Sequence, residues 1–92
     1  MIIEQTLSFK KDVKKLHKNR KIDLDKAVKN IVDNPYIGRQ KTGDLSDVMV
    51  FKFRMQGVLT LLAYKLLLDK DRSIIRLLRL GSHENFYRDL KK

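Results

Sequence analysis

The sequence predicts one α+β domain: an N-terminal helical hairpin packed on a small antiparallel β-sheet, with a short C-terminal helix. Three observations carry this. Apolar residues recur at helical spacing early in the chain, as in Phe9, Val13 and Leu16. After residue 47 they change to alternation and then to continuous apolar runs. The turns between those runs are too short for crossover helices, so consecutive strands should pair antiparallel. A chain of 92 residues supports one core, so a single domain over 1–92 is expected.

Met1 to Thr6 reads as a short strand on the strength of Ile2 and Ile3. Ser8 is a candidate cap for a first helix from Phe9 to Lys18, whose other faces are almost all lysine. Asp23 is a candidate cap for a second helix, Leu24 to Asp33, with the stripe Leu24, Ala27, Val28 and Ile31. Asn34-Pro35 ends it, because proline lacks the N–H and clashes with the preceding turn. Residues 19–22 would join the two helices. Tyr36 to Asp47 reads as a loop. From Val48 to Arg54 the chain alternates, with Met49, Phe51 and Phe53 on one face and Val50, Lys52 and Arg54 on the other. Gln56-Gly57 is a hairpin turn. Val58 to Leu68 is the central strand, apolar enough to be covered on both faces, and Asp69 to Ser73 is a polar turn. Ile74 to Leu80 is the next strand, and Ser82 can cap a last helix containing His83 to Leu90.

Composition narrows the chemistry. With 21 basic and 11 acidic residues the net charge is +10, spread through the body of the chain rather than in a tail. Such a surface favours nucleic acid, an anionic membrane surface or an acidic protein partner, or serves solubility alone. With no cysteine there is no disulfide, thiolate metal site or cysteine nucleophile. Two histidines far apart and no clustered carboxylates predict neither a metal site nor a cofactor. No apolar stretch is long enough to span a bilayer and none reads as a secretory leader, so a soluble cytoplasmic protein with no membrane partner is expected.

The candidate site lies where the last apolar strand reaches Gly81-Ser82. His83 follows immediately and can act as general acid or base near neutral pH. Tyr87, at i+4, shares its helix face and can stack on a base or bond a phosphate, while Phe86 is assigned to the core. Lys52 and Arg54, two apart on a strand, point the same way and can hold a phosphate and stabilise charge developing on it. Arg76, Arg79 and Arg88 are further phosphate candidates; the odd spacing of Arg76 and Arg79 puts them on opposite strand faces. Lys10, Lys11, Lys14, Lys15 and Lys18 can contact nucleic acid, remain a solvated face, or dock an acidic partner. His17, among those lysines, reads as a solvated surface residue.

Several segments taken in order resemble one family. They are Ser8-Phe9-Lys10-Lys11-Asp12, Gly43-Asp44-Leu45-Ser46-Asp47-Val48, Val50-Phe51-Lys52-Phe53-Arg54, Leu61-Leu62-Ala63-Tyr64, and Leu80-Gly81-Ser82-His83-Glu84-Asn85-Phe86-Tyr87. Over nearly its whole length the chain is similar to the RelE/ParE superfamily of toxins from bacterial type II toxin–antitoxin modules. RelE-like members are metal-independent, ribosome-dependent mRNA endoribonucleases. Members like ParE inhibit DNA gyrase and are not nucleases.

The Gly81-Ser82-His83 segment with its following aromatic is similar to the YafQ branch of the ribonuclease side. The resemblance therefore implies mRNA and ribosomal RNA as targets, a cognate antitoxin as partner, and operator DNA only through the antitoxin complex. It implies His83 as acid or base, Lys52 and Arg54 on the pentacoordinate phosphorane, Tyr87 as a positioning group, and the helix lysines on the ribosomal backbone. YafQ-like toxins carry a further histidine and aspartate around the middle strands, where residues 55–60 offer only Met-Gln-Gly-Val-Leu-Thr. The alternatives are a ParE-like gyrase inhibitor and a degenerate antitoxin-binding corepressor.

Overall fold

The structure is a computed structural model that describes residues 2–41, 47–82, 86 and 90. Its elements are β1 (Ile2–Gln5), α1 (Leu7–Lys14), α2 (Lys18–Asp33), β2 (Arg39–Gln40), β3 (Met49–Met55), β4 (Val58–Asp69) and β5 (Arg72–Gly81). The strands form one sheet in the order β1-β5-β4-β3-β2. The α+β class, the helical hairpin and the antiparallel β3–β4–β5 meander are as expected. Of the expected last helix, only Phe86 and Leu90 are described, both helical.

The helical hairpin is more compact than its sequence suggests. Thr6, not Ser8, caps α1: its hydroxyl accepts from the Phe9 N–H at 3.1 Å and donates to the Leu78 carbonyl at 2.7 Å. The cap is set by the neighbouring strand, which a local reading does not see. Helix α1 ends at Lys14, short of Lys18, and α2 starts at Lys18, not at Leu24. Nothing from Lys18 to Asp23 breaks a helix, so the connection shrinks to residues 15–17. Asp23 is thus inside α2, where its carboxylate accepts from the Gln56 N–H at 2.8 Å and ties the β3–β4 turn to the helix. Gln56 and Gly57 both have positive φ, as the expected two-residue turn requires. Leu24, Ala27 and Ile31 are the buried stripe of α2.

Two parts of the sheet differ from expectation. Strand β1 pairs with β5 in parallel, Ile2 opposite Ile74 through Gln5 opposite Leu77, so the sheet is mixed rather than wholly antiparallel. No turn links these two strands; the helical hairpin carries the chain from one sheet edge to the other. The expected loop 36–47 also contains a strand, β2, paired with β3. Coverage of β4 on both faces is confined to its middle: Leu61 to Tyr64 are buried, while Val58, Leu59 and Leu68 are exposed.

The core has two parts, one on each face of the sheet. Phe9, Leu24, Ile31, Met55, Leu62, Tyr64, Ile75, Leu77 and Leu80 form the part under the helices. Val48, Val50, Leu61, Ala63 and Phe86 form the smaller part on the other face. In the first part, Tyr64 is fully buried and bonded at its hydroxyl, donating to the Pro35 carbonyl at 2.7 Å and accepting from the Gly38 N–H at 3.0 Å. A Cβ on Gly38 would lie 2.7 Å from that hydroxyl, so glycine is needed for the approach.

Burial holds the Tyr64 hydroxyl above its ordinary 10.0, opposed in part by the Gly38 hydrogen bond. Tyr64→Phe leaves two backbone groups unpaired and should cost about 1–3 kcal/mol. The pH dependence follows in sign. Above pH 10.0 the unfolded tyrosine loses its proton before the folded one, so stability falls as pH rises. Urea unfolding below and above that pH should show a steeper decline in the wild type than in Tyr64→Phe.

Candidate functional site

The alternation in β3 divides its side chains as expected. Met49, Phe51 and Phe53 pack under the helices, and the rings of Phe51 and Phe53 stack with centroids 5.9 Å apart. Lys52 and Arg54 are exposed on the opposite, open face. Register places Lys52 across from Leu61, and Leu61 across from Gly81. Lys52 and the end of β5 therefore lie in one row, roughly 10 Å apart at two strand spacings. Arg54 is one step further toward the β3–β4 turn, opposite Leu59.

The two cations differ in their engagement. Arg54 donates from Nη1 to the Gly57 carbonyl at 3.0 Å. Lys52 has no side-chain partner among the described residues. Phe86 is buried, as expected, against Val48, Val50, Leu61 and Ala63, beside Leu78 and Leu90. A Cβ on Gly81 would lie 3.3 Å from the Phe86 ring, so the missing side chain lets the ring seat at the end of β5. This row leads into Ser82. His83, Tyr87 and Arg88 are outside the described residues.

Strand β5 carries a bulge beside the site. Ala63 opposes Arg79, but Tyr64 opposes Leu77, so Leu78 is the extra residue. The odd spacing of Arg76 and Arg79 therefore no longer puts them on opposite faces: they oppose Lys65 and Ala63, two apart on β4. Each nevertheless has its own carboxylate. Arg76 pairs with Glu4 at 3.2 Å, half exposed. Arg79 meets Asp12 of α1 through Nε at 3.3 Å and Nη2 at 3.1 Å, and Asp12 also accepts from the Leu80 N–H at 2.9 Å. The Asp12 side chain is only 10% exposed.

The residue-level reading did not single out Asp12, although a signal was present. It is the lone acid on α1 and falls at i+3 from Phe9, within the apolar stripe. The expected lysines Lys10, Lys11, Lys14, Lys15 and Lys18 are all exposed, and His17 is exposed at the start of α2. An open depression of about 390 Å³ lies between the helical turn and the end of β5, lined in part by Asp12, Lys15, Arg20, Arg79, Gly81 and Ser82. Arg20 was also missed, because residues 19–22 read as a linker.

A family model described as ParE-like toxin of type II bacterial toxin–antitoxin system matches residues 3–91. A Nostoc sp. protein named as a diflavin flavoprotein (A 2) is 30% identical over 95 residues, covering 96% of this chain. The chain spans only 16% of that relative's length. Among solved structures, the intact E. coli RelBE toxin–antitoxin complex contains a chain with a TM-score of 0.70 at 20% identity, covering 90% of this chain and 96% of that one. The YoeB/ParE toxin from Agrobacterium tumefaciens gives 0.70 at 14% identity, covering 90% and 99%. These structures share the fold.

Proposed function

Because the chain belongs to the ParE-like toxin family of type II bacterial toxin–antitoxin systems, we propose that this toxin acts as an mRNA endoribonuclease on the ribosome and is neutralised by a cognate antitoxin. The observation that carries the reading is the row Lys52–Leu61–Gly81. It sets an exposed cation, with no side-chain partner among the described residues, in line with the strand end that leads to His83. The resemblance of the fold to the toxin in a RelBE complex supports an antitoxin partner. Operator DNA would be met only through the antitoxin.

In this mechanism the 2′-hydroxyl of the substrate attacks the adjacent phosphorus. A P–O2′ bond forms, the P–O5′ bond breaks, and the products are a 2′,3′-cyclic phosphate and a 5′-hydroxyl. One proton leaves the 2′-oxygen and one reaches the 5′-oxygen; His83 serves one of these transfers as base or acid. Lys52 and Arg54 stabilise the extra charge on the phosphorane. Tyr87 positions base or phosphate. Lys10, Lys11, Lys14, Lys15, Lys18 and Arg88 hold backbone phosphates, so association weakens with salt. Arg79 acts from its Asp12-bound position.

The family description favours one rival, a gyrase-directed toxin that cuts no RNA. Inducible expression in bacteria, with 5′ ends of cellular mRNA mapped within minutes, separates the two. The nuclease reading expects new codon-phased ends that disappear in His83→Ala. Growth arrest with intact mRNA and a DNA-damage response would replace it with the gyrase reading. No arrest at all would leave the corepressor.

A further inference from the structure

We infer that Lys15 and Arg20, together with Arg79 as oriented by Asp12, form a phosphodiester subsite between the turn joining the helices and the end of β5. This inference rests on the nucleic-acid reading of the function above and adds Arg20 and a second phosphate position to it.

The cations around the depression are unequally engaged. Arg20 is only partly exposed, yet neither it nor Lys15 has an ion pair or side-chain hydrogen bond among the described residues. The acid at helical spacing from Arg20 is Asp23, three residues on, and it takes the N–H of Gln56 instead. Arg79 is held through Nε and Nη2 by one carboxylate. A guanidinium has about five N–H donors in a rigid fork, so the rest of that fork stays available and is already oriented. Ser82 adds a hydroxyl on the same wall. An ammonium, two guanidinium groups and a hydroxyl around one open depression suit a tetrahedral anion.

The arrangement favours a backbone phosphate over an acidic peptide. Exposed Lys10, Lys11, Lys14 and Lys18 extend the positive surface from the depression along the helices. The only acid on α1, Asp12, is turned inward onto β5. A polyanion with charge at regular spacing can use both the depression and this track. The bulge and the Asp12 contacts fix the depression relative to Gly81. A strand bound there would continue across the end of β5 toward the open face.

The test uses the full chain and a fluorescein-labelled, 2′-O-methylated single-stranded RNA, which cannot be cut by 2′-hydroxyl attack. Affinity is measured by anisotropy over a range of salt. Arg20→Gln and Lys15→Gln should each weaken binding roughly three- to tenfold at low salt and reduce the salt slope by about 0.7. Lys29→Gln is the control for net charge, since Lys29 is exposed about 13 Å further along α2. It should change affinity less than about twofold.

Equal losses in Arg20→Gln and Lys29→Gln would overturn the subsite in favour of a diffuse charge effect. Unchanged RNA binding in Arg20→Gln, with Arg20-dependent binding of a polyglutamate peptide, would overturn it in favour of an acidic protein partner. No binding of the RNA by the wild-type chain would also overturn it. The readout is independent of cleavage. Intact mRNA in expressing cells combined with an Arg20-dependent salt slope would reject the nuclease reading and keep the subsite.

Discussion

On the nuclease reading, Lys52→Gln should slow mRNA cleavage about 10²- to 10³-fold, whereas Arg54→Gln should slow it less than about tenfold. The sequence treats these residues as equals, two apart on one strand face. The structure separates them. Lys52 is in the row that ends at Gly81 and has no side-chain partner among the described residues. Arg54 is one step further out and already donates to the Gly57 carbonyl. A cation aimed at charge that develops only in the transition state affects the chemical step more than binding. Single-turnover cleavage of labelled mRNA on programmed ribosomes isolates that step. Equal losses in the two variants would mean the strand provides a general positive field. No loss in Lys52→Gln would remove the phosphate role of this face.

Asp12→Ala should destabilise the fold by about 2–4 kcal/mol, with a smaller loss of about 1–2 kcal/mol in Asp12→Asn. Three hydrogen bonds converge on this carboxylate, two from Arg79 and one from the Leu80 N–H. Alanine removes all of them and leaves a partly buried guanidinium without its counter-charge. Asparagine can still accept from Leu80. The Arg79 side chain is 31% exposed, so solvent recovers part of what breaking a fully buried pair would cost. Urea unfolding followed by circular dichroism should show a lower midpoint with an unchanged slope. A loss below about 0.5 kcal/mol for Asp12→Ala would show that water substitutes for the pair and that α1 does not brace β5 through it.

The parts of the fold set by local patterning were legible in the chain. The alternation from Met49 to Arg54 places Lys52 and Arg54 on one face, and the structure agrees. The α2 stripe of Leu24, Ala27 and Ile31, the stop at Asn34-Pro35 and the turn at Gln56-Gly57 are also where the spacing puts them. Phe86 is a core residue, as read. What was missed depends on partners distant in sequence. Thr6 caps α1 while bonding Leu78, 72 positions away. Asp23 looked like a helix cap because the residue that uses it, Gln56, is 33 positions away. The bulge at Leu78 has no local composition to announce it.

The sequence by itself determined the α+β class, the polarity of each strand face, the basic surface and the position of Gly81-Ser82-His83 after an apolar strand. These depend on side-chain periodicity and composition, which are local properties of a chain. The tertiary structure alone decided that β1 joins β5 in parallel, that Arg79 is claimed by Asp12 and that Asp23 takes the Gln56 N–H. Each of these is a choice of partner. Register and helix docking make that choice by bringing distant donors and acceptors within hydrogen-bond range, and the spacing of residues along one segment does not encode it.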